Sequence, residues 1–286
     1  MGRFRKIYVN TSHRVSGTST NFRYELAEDQ DCGGGEIKCH LAITSVSLPN
    51  AFFTVMSNVN NKLYIWEQHP TTATSSQNRT IGIAAGQYSL TSLATAIQSG
   101  LNTNPLASAT YTATPNHTTQ RITITQVNGG GFLIMDDTTL KNIGRKDQTL
   151  SGSYNQALKV ANPQSLQQLL NIPSVLTLSV PDVSFTSGVV NLARTPEVFI
   201  RSPNLTNSST LDCLGRSDVI KRIPIDVSFG YQVVTGSNVE TSDLMDVSGR
   251  TLRSLDFVLT DASGNQVDLH GLDWGFVMNF VYGDLE

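Results

Sequence analysis

The stretch EIKCHLAITSVSLP, residues 36–49, constrains this chain most. Ile37, Cys39, Leu41 and Ile43 alternate with Lys38, His40 and Thr44. Successive side chains of an extended strand point to opposite faces, so this alternation predicts a strand with one dry face and one wet face. Similar runs follow at NKLYIWE (61–67), RTIGIAAGQ (79–87), QRITITQV (120–127) and GFLIMDD (131–137). The last two flank Gly129, Gly130 and Gly131, which predicts a hairpin between them. Strand patterns resume at SVLTLSV (174–180), GVVNLA (188–193), EVFIRS (197–202), VIKRIPIDVSFGYQVVT (219–235), TLRSLDFVLTD (251–261) and WGFVMNFVYG (274–283). Long connections at 203–217 and 236–250 separate some of them. Such connections suit a Greek key or jelly roll better than a meander. The fold class is therefore all-β, an antiparallel β-sandwich of the Greek-key or jelly-roll kind that also contains a helix.

Helical periodicity is clear at SLTSLATAIQSGLN (89–102), where Leu90, Leu93, Ala94, Ile97 and Leu101 form one stripe and Ser89 is a good N-cap. Shorter helices are expected at 165–171, stopped by Pro173, and at 139–144. The polar stretch 147–165 reads as a linker. In the closing segment, Asp261 to Asn265 has turn chemistry, and Val267 and Leu269 restart the alternation. Trp274, Phe276, Met278 and Phe280 then alternate with Gly275, Val277, Asn279 and Val281, so both faces are fairly apolar and the strand should be central or covered by a neighbouring subunit.

Charged residues make up only 15% of the 286-residue chain, against roughly 25% in ordinary soluble domains. Neutral polar strands of this kind suit surfaces that neighbours will cover. The net charge of −3 gives no global case for nucleic-acid binding. Locally, Arg3, Arg5, Lys6 and Arg14 precede the first acid, Glu25, and are expected to form a basic N-terminal arm. Such an arm is either solvated or touches a polyanion or acidic surface. Cys32, Cys39 and Cys213 are too few for a disulfide framework and read as free thiols of a reducing compartment. MGRFRKIYVN has no apolar signal region, and no run is long enough to span a bilayer.

Chemistry has little to stand on. His13, His40, His69, His117 and His270 are widely spaced, with no local pair suited to a metal. The glycine clusters at 33–35 and 129–131 open no convincing helix and so make poor phosphate cradles. Asp268 or Asp273 could pair with His270, but no nucleophile motif accompanies them. No cofactor, metal or catalytic residue is expected, and the chain is not expected to be an enzyme. A metal-dependent jelly-roll enzyme would need clustered histidines.

Several motifs occur in a telling order. They are VSGTSTNFRYEL (15–26), AITSVSLPNAFFTV (42–55), IAAGQYSLTSLATAIQSGLN (83–102), ATYTATPNHTTQRITITQV (109–127), GVVNLARTPEVFIRSPNL (188–205), IPIDVSFGYQVV (223–234) and LTDASGNQVDLHGLDWGFVMNF (259–280). Together they resemble the penton, or vertex, proteins of double-stranded DNA viruses with double-jelly-roll major capsid proteins, of the virophage and polinton-like virus type. The resemblance implies an upright jelly roll over 15–56 and 173–286, an inserted subdomain or elaborated loops over 57–172, and the basic arm at 1–14. It implies a homopentamer closing the five-fold vertices of an icosahedral capsid. Its partners would be major capsid protein trimers and, through the arm, other minor capsid proteins or the genome. The protein would be made in the host cytoplasm and reside in the virion. The alternative is a viral spike, fibre-head or lectin-like receptor-binding jelly roll.

Overall fold

The computed structural model describes residues 3–33, 38–69, 76–142, 163–172, 183–193, 195–205, 211, 215–236 and 244–283. The strand expected at 174–180, nearly all of the linker at 147–165, and Cys213 lie outside the described residues. In chain order the strands are β1 (Arg3–Asn10), β2 (Ser16–Thr18), β3 (Asn21–Asp31), β4 (Cys39–Pro49), β5 (Lys62–Gln68), β6 (Ser76–Gly82), β7 (Thr110–Asn116), β8 (Arg121–Val127), β9 (Phe132–Ile134), β10 (Ser184–Thr186), β11 (Glu197–Arg201), β12 (Val219–Pro224), β13 (Gln232–Thr235), β14 (Met245–Asp246), β15 (Thr251–Thr260) and β16 (Gly275–Tyr282). Helices α1 (Leu90–Leu101), α2 (Asp137–Asn142) and α3 (Gln167–Leu170) lie between β6 and β10. The chain forms two compact units, one of residues 1–52 with 195–286 and one of residues 53–194.

The first unit is a sandwich of two antiparallel sheets, β1-β16-β4-β13 and β12-β11-β15-β3-β2, with β14 also paired to β4. The chain crosses between the sheets at most of its connections and stays within one sheet only at β2–β3, β11–β12 and β13–β14, which makes this the jelly roll expected from the strand pattern. In β4 the simple alternation fails at one point. Leu41 and Ile43 are buried, and so are Val46 and Leu48, which have the opposite parity. A bulge reconciles them. Met278 of β16 faces Ile43 while Val277 faces Ser45, so Thr44 is the extra residue. The bulge turns the apolar face back to the core and leaves Thr44 buried rather than wet. The closing segment behaves as its pattern predicts. Asp261 receives the Asn265 amide at 2.8 Å, Gly264 takes φ +80°, and β16 is central between β1 and β4. Trp274 packs edge-on to Phe22, tilted against Phe276, and donates Nε1–H to the Ser19 carbonyl at 2.6 Å.

Cys32 and Cys39 are both buried free thiols beside this core. Burial, and then the neighbouring Cys39 thiol, push Cys32 up to about 12. Burial also raises Cys39. Folding therefore holds a proton that the unfolded chain releases near the ordinary thiol value, so this contribution is complete below about pH 9 and is lost as the pH rises toward 12. Urea denaturation should show stability falling across that window. Cys32→Ala should flatten the fall, and an unchanged slope would remove the thiol as its cause.

The second unit builds its core around β5. Leu63 and Ile65 face one cluster together with α1, while Tyr64 and Trp66 face another with Met135 and Leu140. The helix expected at 89–102 is present as α1. Ser89 caps it and exchanges bonds with Ser92 in a capping box. The hairpin expected across Gly129–Gly131 is not formed. β8 pairs with β7 and β10, and β9 pairs with β5. The glycines instead run onto the end of β5: Gly130 donates to the Gln68 carbonyl at 3.2 Å, and Gln68 donates to that of Gly131 at 3.0 Å. Nor is GVVNLA a strand. Gly188 and Asn191 bond to Asn171 and Leu169 of the same unit, and β10 belongs to the β7-β8 sheet. The chain thus returns to the jelly roll at Thr195 rather than at 173.

Candidate assembly surface

The four N-terminal bases were expected on an arm. Residues 3–10 are instead β1, paired with β16 along all eight residues from Arg3–Tyr282 to Asn10–Gly275. The reason is visible in RFRKIYVN: Val9 is buried and Ile7 packs against the core, while Phe4, Lys6 and Tyr8 point away. Arg5 forms an ion pair with Glu28 of β3. Arg14 is held by the Asp273 carboxylate at 3.0 Å and by the Thr11 carbonyl at 2.7 Å. Lys6 is exposed on the outer side of β1. The structure therefore places Arg5 and Lys6 on a sheet edge and Arg14 at a tight corner, and does not gather these three into one cluster.

Two features of the first unit escaped the sequence reading. β1 and β13 are the two edges of one sheet, and both expose large apolar side chains. Phe4 and Tyr8 are 63% and 72% exposed on β1. Tyr231, just before β13, and Val234 within it are 68% and 71% exposed. The sequence carries a signal of the first edge, because Phe4, Lys6 and Tyr8 alternate with Arg5, Ile7 and Val9. The other feature concerns the edges of the second sheet. β2 pairs only with Asn21–Arg23, so the rest of β3, carrying Glu25, Glu28, Asp29 and Asp31, extends beyond it. At the other edge, β12 carries Lys221 and Arg222.

The chemical alternatives gather no working site among the described residues. His270 takes φ +53°, its amide bonds to Asp268 at 2.7 Å, and its Nδ1 lies 3.4 Å from that carboxylate, a local turn contact. Asp273 is engaged by Thr11 at 2.8 Å and by Arg14. An open groove of about 510 Å³ at this corner is lined by polar groups including Arg14, Thr18, Thr20, Gln266 and Asp268. No group of three or more His, Cys, Asp or Glu suited to a metal occurs among the described residues. Among them too, no helix is long and apolar enough to cross a membrane. In the second unit, Glu67 is fully buried, but its oxygens are occupied by Tyr111 Oη–H at 2.6 Å, Arg79 at 2.7 Å and Gln77 at 3.0 Å. Burial, and then the bond to Glu67, raise the Tyr111 phenol. This is a closed structural network rather than an exposed acid.

The sequence matches no family model and no curated protein. Among solved structures, the chain is similar to the crystal structure of the mavirus penton protein. The match has a TM-score of 0.52 at 9% identity and covers 97% of this chain and 99% of that one. At that identity the likeness is one of fold, and it extends over both units. The fold implied by the order of the sequence motifs is the fold observed.

Proposed function

We propose that the chain is a structural virion protein, a penton that closes the five-fold vertices of an icosahedral capsid as a homopentamer. The observation that carries this reading is the similarity of fold to a penton protein along nearly the full length of both chains. The jelly roll of the first unit, which exposes Phe4 and Tyr8 at one edge of a sheet and Tyr231 and Val234 at the other, supports it. The partners are further copies of the chain and the major capsid protein trimers around the vertex. The protein is made in the host cell and resides in the virion, and no enzymatic role is proposed.

Native mass spectrometry and negative-stain imaging of the purified chain test this reading, followed by co-expression with a double-jelly-roll major capsid protein. Closed five-membered rings, or five copies at each vertex of assembled shells, are expected. A stable trimer that fails to enter shells would shift the function to a spike or fibre head.

A further inference from the structure

Cys32 directly follows β3 and Cys39 opens β4, so the two cysteines belong to opposite sheets of the first unit. Six residues separate them, with Gly33, Gly34 and Gly35 among these. A single turn, Val247–Arg250, holds both. The Cys32 amide donates to the Arg250 carbonyl at 3.0 Å, and the Gly249 amide donates to the Gly33 carbonyl at 2.7 Å. The Cys39 amide donates to Ser248 Oγ at 2.8 Å, and the Cys39 carbonyl accepts the Val247 amide at 2.9 Å. That turn also connects β14 of one sheet to β15 of the other. Both cysteine side chains are fully buried in the core they share with Met245 and Phe280. The Cys32 thiol donates to the Gln30 carbonyl at 3.7 Å, the Cys39 thiol lies against it, and the Tyr282 hydroxyl lies beside Cys39. One buried cysteine packs as a small apolar residue. Two in mutual contact can also be joined, at an S–S distance of about 2.05 Å.

We infer that Cys32 and Cys39 are a redox pair, which a peroxide-class oxidant closes into a disulfide that ties the two sheets together at the β3–β4 corner. The pairing stands on these contacts and not on the vertex reading. The steps balance. The Cys39 thiolate attacks one peroxide oxygen, the O–O bond breaks, and water leaves a sulfenic acid on Cys39. The Cys32 sulfur then attacks the Cys39 sulfur, the S–O bond breaks, and a second water leaves. The two sulfurs give up two electrons and two protons, and one peroxide becomes two waters. Burial keeps both thiols protonated at neutral pH, so closure is slow. It would set a lasting lock after the protein leaves a reducing compartment rather than act as a rapid sensor.

The test uses the full-length chain carrying Cys213→Ser, which leaves two thiols. The reduced, folded protein is treated with hydrogen peroxide. The intact mass should fall by two hydrogens, free thiols counted after unfolding should drop from two to none, and peptide mapping should join Cys32 to Cys39 within one chain. The melting temperature should rise by about 5–10 °C, as closing a short loop predicts, and dithiothreitol should reverse the rise. Cys32→Ala and Cys39→Ala should each abolish it. If an alanine variant fails to fold, the oxidised and reduced forms of the same chain decide alone; if Cys213→Ser fails to fold, the parent is mapped instead. Thiols that stay free in the folded chain, at a peroxide dose that joins them in urea, overturn the pairing. So does a bond between chains, or a Cys32–Cys39 bond that leaves the melting temperature unchanged or lowers it. A chain that closes this bond but forms no rings leaves the pairing standing without the vertex function, and rings whose thiols never join do the reverse.

Discussion

Deleting residues 1–14 is expected to unfold the jelly-roll unit, not to trim a tail from it. The deletion removes an edge strand paired with β16 over eight residues, and with it the burial of Val9 and Thr11. Thr11 matters beyond its size. Its amide donates to the Trp274 carbonyl at 2.9 Å, and its hydroxyl accepts the Trp274 amide at 3.0 Å, so it fixes the start of the central strand. A net hydrogen bond contributes about 1 kcal/mol, and a fully buried valine about 1.5–3 kcal/mol. The combined loss is comparable to the roughly 5–15 kcal/mol that holds a whole domain together. Limited proteolysis and thermal melts should show the truncated chain lacking the main transition or failing to accumulate in soluble form. Lys6→Ala, which removes an exposed charge and keeps the strand, should stay within about 0.5 kcal/mol of the parent. A truncated chain that melts like the full-length protein would show that β1 is a detachable arm after all. An assembly defect in a truncated chain that has lost the main transition would say nothing about a basic arm, because the wall itself is missing.

Glu67→Ala should destabilise the second unit by about 3–5 kcal/mol, since it strips a largely buried guanidinium of its counter-charge. Arg79 also donates to the Thr103 carbonyl at 2.6 Å and to that of Leu101 at 2.8 Å, at the C-terminal end of α1. The carboxylate therefore links β5 to the helix through Arg79 and to β7 through Tyr111. The Leu106 amide lies within 3.3 Å of the same carboxylate. Urea denaturation of Glu67→Ala, Arg79→Met and the double variant Glu67→Leu/Arg79→Met measures the coupling. The double variant should recover much of the loss, because no buried charge then lacks a partner. If Glu67→Ala costs less than about 1 kcal/mol, the network is not a stabilising element.

The jelly roll was legible because several of its strands alternate apolar and polar residues. Leu255, Phe257 and Leu259 share a parity in β15, as do Phe276, Met278 and Phe280 in β16, and all six are buried. The helix α1 was legible from its apolar stripe and its Ser89 cap. Among the readings that went astray, two did so for one physical reason, which is that local pattern carries no information about partners. QRITITQV and GFLIMDD are both strands, but the glycines between them carry β9 to β5 instead of folding it back on β8. RFRKIYVN has strand alternation and a run of bases together, and only the long-range pairing with a strand some 270 residues away decided between wall and arm.

The amino-acid sequence by itself determined which segments are extended, which face of each is apolar, and how little charge the surface carries, because these depend on residue type and on a period of two or 3.6. The tertiary structure alone decided which strands are edges, which aromatics remain in water at those edges, and where Glu67 meets Arg79 and Tyr111. Edges and buried ion pairs are properties of who lies beside whom, and that is set by the packing of residues far apart in the chain.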